Sequence, residues 1–269
     1  MGVPMYIGTS PEDAQGVAAV SGQYFRNLSQ VQIERLFAEN FVLLNGDALE
    51  TLTDLGLGHL AGVADVRWMK QNSGAYTFEQ VTNGRLYTGV PNARASCVIS
   101  GSDALDVSYL PGPEIEEYSA LYDSFRVRRS PCQTVVGGRV QIYPFGRFAV
   151  PQEIPPMLLN DVRQEILQDV LNRSGALTAP MVEQNPYLVP YAFSNGNKAH
   201  LYLVNGSMDA VCGVPLLWAN ADGEYSVSAL PSRGEPIAFT ARIERDRCML
   251  PLEIEPMESV LLTVRRVGE

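Results

Sequence analysis

The sequence predicts an α/β domain followed by a small all-β domain, on three observations. A buried strand turns straight into a short helix near residue 45, helical period fades after Val66, and short strand-like segments recur after Pro186. The first is the stretch Asn40-Phe41-Val42-Leu43-Leu44-Asn45-Gly46-Asp47-Ala48-Leu49-Glu50-Thr51-Leu52, continued by Leu55-Gly56-Leu57-Gly58-His59-Leu60-Ala61-Gly62-Val63. A strand entering a helix through a tight turn is where α/β folds build ligand sites and nucleophile elbows. Here the turn carries Asn45-Gly46-Asp47 and no nucleophile.

Taken in order, Val3–Ile7 reads as a short strand and 8–13 as a loop. Ser29, with Gln32 three residues on, forms a capping box for a helix whose apolar face is Ile33, Leu36 and Phe37 and which ends near Asn40. Phe41–Leu44 is a continuous apolar run, the mark of a strand covered on both faces. Asp47–Leu55 is helical, with Ala48, Leu49, Leu52 and Leu55 inward and Gly56 as its stop. Strand alternating with helix implies parallel strands, part of a doubly wound sheet.

From Val66 to Val150, Asn83-Gly84, Gly101-Ser102, Pro111-Gly112-Pro113 and Gly137-Gly138 separate short segments that read as antiparallel strands and loops. Within them Glu114–Phe125 is a helix candidate and Arg139–Tyr143 the clearest strand. Pro155-Pro156 then introduces a helix with Leu159, Val162, Ile166 and Val170 on one face and Gly175 as its stop. The expected division is 1–185 and 186–269. The second part holds strands near Leu201–Val204, Val214–Trp218, Glu224–Leu230, Ile237–Ile243, Cys248–Ile254 and Val260–Arg265, with hairpin chemistry at Asn195-Gly196, Asn205-Gly206 and Asp222-Gly223. That pattern predicts an antiparallel β-sandwich.

Thirty acidic against 20 basic residues give a net charge of −10, and no basic run exceeds Arg128-Arg129 or Arg265-Arg266, which argues against a nucleic-acid partner. The longest apolar runs fall far short of the roughly 20 residues of a membrane helix. Met1-Gly2-Val3-Pro4 has no secretory n-region, which favours a soluble cytoplasmic chain without settling the compartment. Cys97, Cys132, Cys212 and Cys248 are scattered and read as small buried apolar residues.

The turn offers two roles. Asn45 or Asp47 caps the helix, or else Gly46 and the free amides of the helix N-terminus hold an anion or a sugar hydroxyl. His59 is a base or ligand, or a hydrogen-bonded structural residue beside Leu57 and Leu60, and His200 is a surface residue on a strand. Gly8-Thr9-Ser10-Pro11-Glu12 comes nearest to Gly-x-Ser-x-Gly but lacks the second glycine. Glu116-Glu117, Glu12-Asp13 and Asp103 with Asp106 read as solvated charge. Trp68 with Tyr76, and Trp218 with Tyr225, form a carbohydrate platform or, more simply, core. The candidate ligand residues are Asn45, Gly46, Asp47, His59, Trp68, Tyr76 and Trp218; no catalytic or metal set stands out, and no cofactor is expected.

Leu28-Ser29 through the helix Gln32-Ile33-Glu34-Arg35-Leu36-Phe37, then Phe41–Leu52, Leu55–Val63, Gly137–Val140 and Leu159-Asn160-Asp161-Val162-Arg163, resemble the region that follows the catalytic barrel in β-galactosidase-like glycoside hydrolases. Ala199–Asn205 and Leu252–Leu262 resemble the small C-terminal β-sandwich of the same enzymes. The resemblance implies a flavodoxin-like, class I glutamine amidotransferase-like domain that has lost its Cys-His-Glu triad and assists oligomerisation. It also implies a larger polypeptide whose barrel carries the catalytic glutamates, since this chain lacks the eight βα units of a barrel. The expected function is that of a noncatalytic accessory region, with the catalytic barrel and further copies of the chain as partners. The rivals are a stand-alone carbohydrate-binding module and a hydrolase using Cys97 or Ser10 with His59.

Overall fold

The computed structural model describes residues 3, 10–11, 14, 16–70, 75–83, 96–98, 103–146, 161–183, 187–195 and 198–268. Contacts divide the chain into two compact units, Gly8–Leu158 and Leu159–Glu269 with Met1–Ile7.

In Gly8–Leu158 the order is β1 (Val17–Val20), α1 (Gly22–Phe25), α2 (Gln30–Glu39), β2 (Phe41–Leu44), α3 (Gly46–Asp54), a 3₁₀ turn (Gly58–Ala61), β3 (Val63–Met69), β4 (Phe78–Val81) and β5 (Ser96–Val98). β6 (Ala104–Tyr109), β7 (Ile115–Glu117), β8 (Ser119–Tyr122), β9 (Arg128–Pro131), β10 (Thr134–Val136) and β11 (Val140–Ile142) follow among the described residues. The capping box is present at α2: the Ser29 amide donates to Gln32 Oε1 at 3.0 Å and the Gln32 amide to Ser29 Oγ at 3.4 Å. Ile33, Leu36 and Phe37 are its buried face. At the other end Arg139 Nη2 donates to the Ala38 carbonyl at 2.6 Å, one of the carbonyls a helix end leaves without an intrahelical partner.

The principal sheet is five-stranded, in the order β1-β2-β11-β10-β7. β2 lies parallel to both β1 and β11, with Phe41, Val42 and Leu44 buried, as its unbroken apolar run requires. β10 and β7 are antiparallel additions, so the expected doubly wound parallel sheet is instead a mixed one. The cause is Gly137-Gly138, whose φ values of 56° and 66° shape the three-residue turn 137–139 that folds β11 back along β10 and delivers it to β2. The sequence pattern gives no sign of β1; the expected strand Val3–Ile7 lies outside the described residues beyond Val3.

α3 runs one residue earlier than expected. Leu55 is its C-cap and is 47% exposed rather than inward, while Gly56, at φ 76°, ends the helix as the sequence indicates. Glu114–Phe125 forms β7 and β8, not a helix, because Ala120 and Leu121 are fully buried in a strand flanked by β4 and β9. The antiparallel character expected of this middle region holds in the pair β3-β6 and the sheet β5-β4-β8-β9. Asn83-Gly84 and Gly101-Ser102 fall partly or wholly outside the described residues.

In Leu159–Glu269 one helix, α4 (Asp161–Ser174), precedes β12 (Met181–Val182), β13 (Leu188–Asn195), β14 (Lys198–Asn205), β15 (Val211–Leu217), β16 (Gly223–Pro231), β17 (Ile237–Ile243), β18 (Arg247–Ile254) and β19 (Ser259–Arg266). Ile166 and Val170 of α4 are buried and Gly175, at φ 64°, stops it; Pro155-Pro156 and Leu159 lie outside the described residues. The division falls well before residue 185 because Gln164 and Gln168 both donate to the Val182 carbonyl, at 3.3 and 2.6 Å, and β12 pairs with β15, tying the helix to the strands that follow it.

The strands form a three-stranded sheet β12-β15-β18 and a five-stranded sheet β13-β14-β19-β16-β17, with one core containing Leu201, Leu203, Leu216, Trp218, Tyr225 and Leu262. This is the expected sandwich, enlarged by β12 and β13. Asn205-Gly206 and Asp222-Gly223 are not hairpin turns but crossings between the sheets. At the first, Asn205 is wholly buried and its Nδ2 donates to the carbonyls of Asp209, Ile254 and Glu255. A buried amide whose two hydrogens are shared among three carbonyls fixes a corner where the chain changes sheets.

Candidate functional site

The turn between β2 and α3 gathers the most sequence-predicted residues. Asn45 is the N-cap of α3, its Oδ1 accepting from the Ala48 amide at 2.9 Å. The two preceding amides are also occupied: Gly46 N donates to the Phe145 carbonyl at 2.6 Å and Asp47 N to the Gly146 carbonyl at 3.2 Å. The Asp47 carboxylate faces away from its own helix end and accepts from the Gly22 amide of α1 at 3.0 Å. A helix N-terminus binds an anion through free N–H groups, and here the groups at the turn are spent on the chain itself. The reading in which Gly46 and this N-terminus hold an anion or a sugar hydroxyl is therefore replaced by a closed structural joint.

Gly46 has no room for a side chain. A Cβ there would lie 2.5 Å from Trp68 Cη2 and 2.9 and 3.0 Å from the carbonyl oxygens of Pro144 and Phe145. Trp68, on β3, is held over the turn by its Nε1, which donates to Glu50 Oε1 at 2.7 Å one turn along α3. Gly22 is packed just as closely against Asp47 and Thr51, which is why α1 and α3 can cross there. Asn45, Gly46, Asp47 and Trp68 are thus brought together, as a joint rather than a pocket.

The other candidates do not join them as ligand groups. His59 is exposed on the 3₁₀ turn. Tyr76 is buried, 1% exposed, in a cluster with Met69, Leu121, Cys132 and Phe145, and so offers no ring face to a sugar. Trp218, 3% exposed, belongs to the sandwich core, its ring centroid 5.4 Å from that of Tyr225 at a tilt of 42° and its Nε1 donating to the Thr178 carbonyl at 2.9 Å. Trp218 therefore does not stand as an open carbohydrate platform, and Trp68 is half-buried with its Nε1 spent on Glu50.

Burial pushes the Cys248 thiol up to about 11 and the Tyr109 phenol up to about 12, so both are protonated at neutral pH and neither is an activated nucleophile. Cys132 is buried as expected, but Cys212 is exposed on the bulged strand β15. The side chain of Cys97 and the residues Glu12 and Asp13 lie outside the described residues. The acids read from the sequence as solvated charge are half-buried and partnered, Glu117 with Arg128 and Thr82 and Asp106 with Ser130 and Arg67.

Comparison with known proteins gives distant likenesses. The chain is similar to solved β-galactosidases. One from Bacillus circulans sp. alkalophilus is 11% identical over 93% of this chain and 33% of its own, with a TM-score of 0.44. The GH42 β-galactosidase Gan42B of G. stearothermophilus is 10% identical over 92% of this chain and 31% of its own, at a TM-score of 0.41. The enzyme from Rahnella sp. R3 gives 8%, 93%, 40% and 0.42 for the same four quantities. The chain spans about a third of the length of the first two. No family model and no curated protein matches it.

Sequence reasoning missed a buried carboxylate. Glu79 of β4 accepts from Ser119 Oγ at 2.5 Å and from Gln133 Nε2 at 2.8 Å, while the Gln133 amide donates to Ser119 Oγ at 3.1 Å. All three side chains are buried. The network ties β4, β8 and the segment after β9 together. Residues 79, 119 and 133 are too far apart in the chain for any spacing signal to reveal it. Among the described residues no group of three or more His, Cys, Asp or Glu is arranged to hold a metal ion, and no helix is long and apolar enough to cross a membrane.

Proposed function

We propose that this chain is a noncatalytic accessory region of a β-galactosidase-like glycoside hydrolase, contributing framework and subunit contacts to a protein whose glycosidic bond is cleaved in a barrel outside the chain. The observation that carries this is the closed turn at Asn45-Gly46-Asp47. At this turn, which the resemblance would set where an amidotransferase keeps its nucleophile, the side chains cap and cross-link helices, the first amides are bonded to Phe145 and Gly146, and Trp68 covers the glycine. A fold element kept for packing after its chemistry has gone fits the degenerate amidotransferase-like domain that the motifs from Leu28 to Val63 resemble. The parallel trio β1-β2-β11 with α2 and α3 supports the same origin.

The partners that follow are the catalytic barrel and further copies of the chain. The test is catalytic: the purified chain turns over no aryl β-galactoside above the buffer rate. Robust hydrolysis that disappears on replacing one Asp or Glu would overturn the reading, because a pair of carboxylates is all that glycosidic cleavage requires.

A further inference from the structure

The outer face of the sheet β13-β14-β19-β16-β17 carries an open apolar stripe, bordered on one side by the charged row of Lys198 and Arg265. Along β13 the outward residues Val189, Tyr191 and Phe193 alternate with inward ones, and the register sets Tyr191 beside Tyr202, Tyr202 beside Leu261, and Leu261 beside Leu230. This row crosses four strands. Phe193 is 75% exposed, Leu230 52%, Tyr191 50%, Tyr202 44%, and Val189 and Leu261 41% each. The next row, Phe193-His200-Thr263-Ser228, and the row Val189-Val204-Ser259 contain no carboxylate, lysine or arginine.

We infer that this face is the contact for a second copy of the chain, two sheets packing face to face about a two-fold axis. The inference rests on the subunit-contact half of the reading above and is independent of its noncatalytic half. Three features favour a second copy as occupant. The first is area: with aromatic side chains covering roughly 150–250 Å² each, the six residues leave on the order of 600 Å² of apolar surface, as much as the largest patch a monomer keeps open. Ser228, Ser259 and Thr263 in the same rows bring the face towards the ~800 Å² per partner of a standard interface.

The second is charge. A chain of net charge −10 repels its own copies, so self-association is favoured where that negative charge is absent, and these rows carry no carboxylate and are bordered by the basic Lys198 and Arg265. The third is that four of the polar side chains of the face are already paired with one another. Tyr202 Oη donates to Ser259 Oγ at 2.8 Å, and His200 Nδ1 lies 3.0 Å from Thr263 Oγ1. A sugar needs free donors and acceptors on its platform, whereas a dry protein contact needs them satisfied before burial. Flat, twisted sheets pack about 10 Å apart with interdigitating side chains, and a two-fold axis makes the face its own complement.

The test is sedimentation velocity on the full chain at micromolar concentration. The wild type is expected to sediment as a dimer that tightens as salt screens the net charge. Phe193→Ser and Tyr191→Ser, each counted twice across the axis, are expected to weaken it by at least about 100-fold in Kd. Phe125→Ser, at an 86% exposed aromatic of the other unit, is the control and leaves the dimer intact. A monomeric wild type, a dimer indifferent to both face variants, or a monomer in which these residues instead bind galactan would overturn the inference. A dimer lost on Phe193→Ser in a chain that hydrolyses aryl galactosides would leave the inference standing and remove the noncatalytic reading.

Discussion

The turn at Asn45-Gly46 and the outer face of the sandwich sheet are opposite kinds of surface. At the turn, three amides, a carboxylate and an indole N–H all have partners within the chain, and a glycine is required because a ring and two carbonyls fill the space a Cβ would take. On the sheet face, large apolar side chains stand open on a regular register. The turn draws attention in the sequence because tight geometry restricts residue type. The face draws none, because alternating apolar residues on a strand look the same whether their outer side is covered by solvent or by protein. A conspicuous motif therefore marks where the backbone is constrained, while an interaction surface is recognised only once exposure is known.

The largest break in this contrast is expected at Gly46. In Gly46→Ala the new methyl meets the Trp68 ring, which can move, and the Pro144 and Phe145 carbonyls, which cannot move without disturbing the strand end. Overpacking of this kind costs about 3 kcal/mol or somewhat less. Urea unfolding of the whole chain measures it, and an unshifted midpoint would mean that the turn is open rather than closed. Next comes Trp68→Phe, which keeps the ring over the glycine but leaves the Glu50 carboxylate without its donor, for a loss of about 1.5 kcal/mol. Because the unpaired group is then a charged carboxylate, Glu50→Gln added to Trp68→Phe is expected to recover part of that loss.

Asn45→Ala removes the cap and is expected to cost about 1 kcal/mol, with Asn45→Asp or Asn45→Ser close to wild type, since either side chain accepts from the same amide. If serine destabilised as much as alanine, the capping role would fail. The sheet face supplies the other arm. Phe193→Ser and Tyr191→Ser are expected to shift monomer stability by no more than about 0.5 kcal/mol, as substitutions of exposed residues do, while altering association. Equal damage to stability at both places would erase the distinction between a buried joint and an open contact.

Local signals in the sequence were sufficient wherever the cause was local. The Ser29/Gln32 box, the buried run Phe41–Leu44, the glycine stops at 56 and 175 and the Asn45 cap are each written within a few residues and are found where expected. Long-range pairing was not legible. That β11 lies beside β2, that Asn205-Gly206 carries the chain between sheets, and that Glu114–Phe125 forms strands are decided by residues distant in sequence. The same division runs through the candidate site. Asn45 could be assigned from its position, but the carbonyls of Phe145 and Gly146, the Gly22 amide and the orientation of Trp68 could not, and these are what close the turn.

The smallest effect is expected at a third place, the β8–β9 hairpin, where an open side chain sits on a closely bonded turn. Phe125 projects into solvent, yet its amide and that of Val127 donate to Asp123 Oδ1 at 2.9 and 2.8 Å, and Arg129 pairs with Asp123 Oδ2. The Val127 amide first, with Arg129 and the Phe125 amide, holds the Asp123 carboxyl below its ordinary value of 3.8. A group whose folded pKa is depressed contributes stability above its unfolded pKa, about 3.9, and that contribution is lost as pH falls through the folded value. Wild type and Asp123→Asn should therefore differ most near neutral pH and converge as the pH falls through the depressed folded value of Asp123. Urea midpoints across that range check it, with Phe125→Ser as the companion. If Phe125→Ser changed the acid slope and Asp123→Asn did not, the exposed ring rather than the bonded carboxylate would be holding the turn.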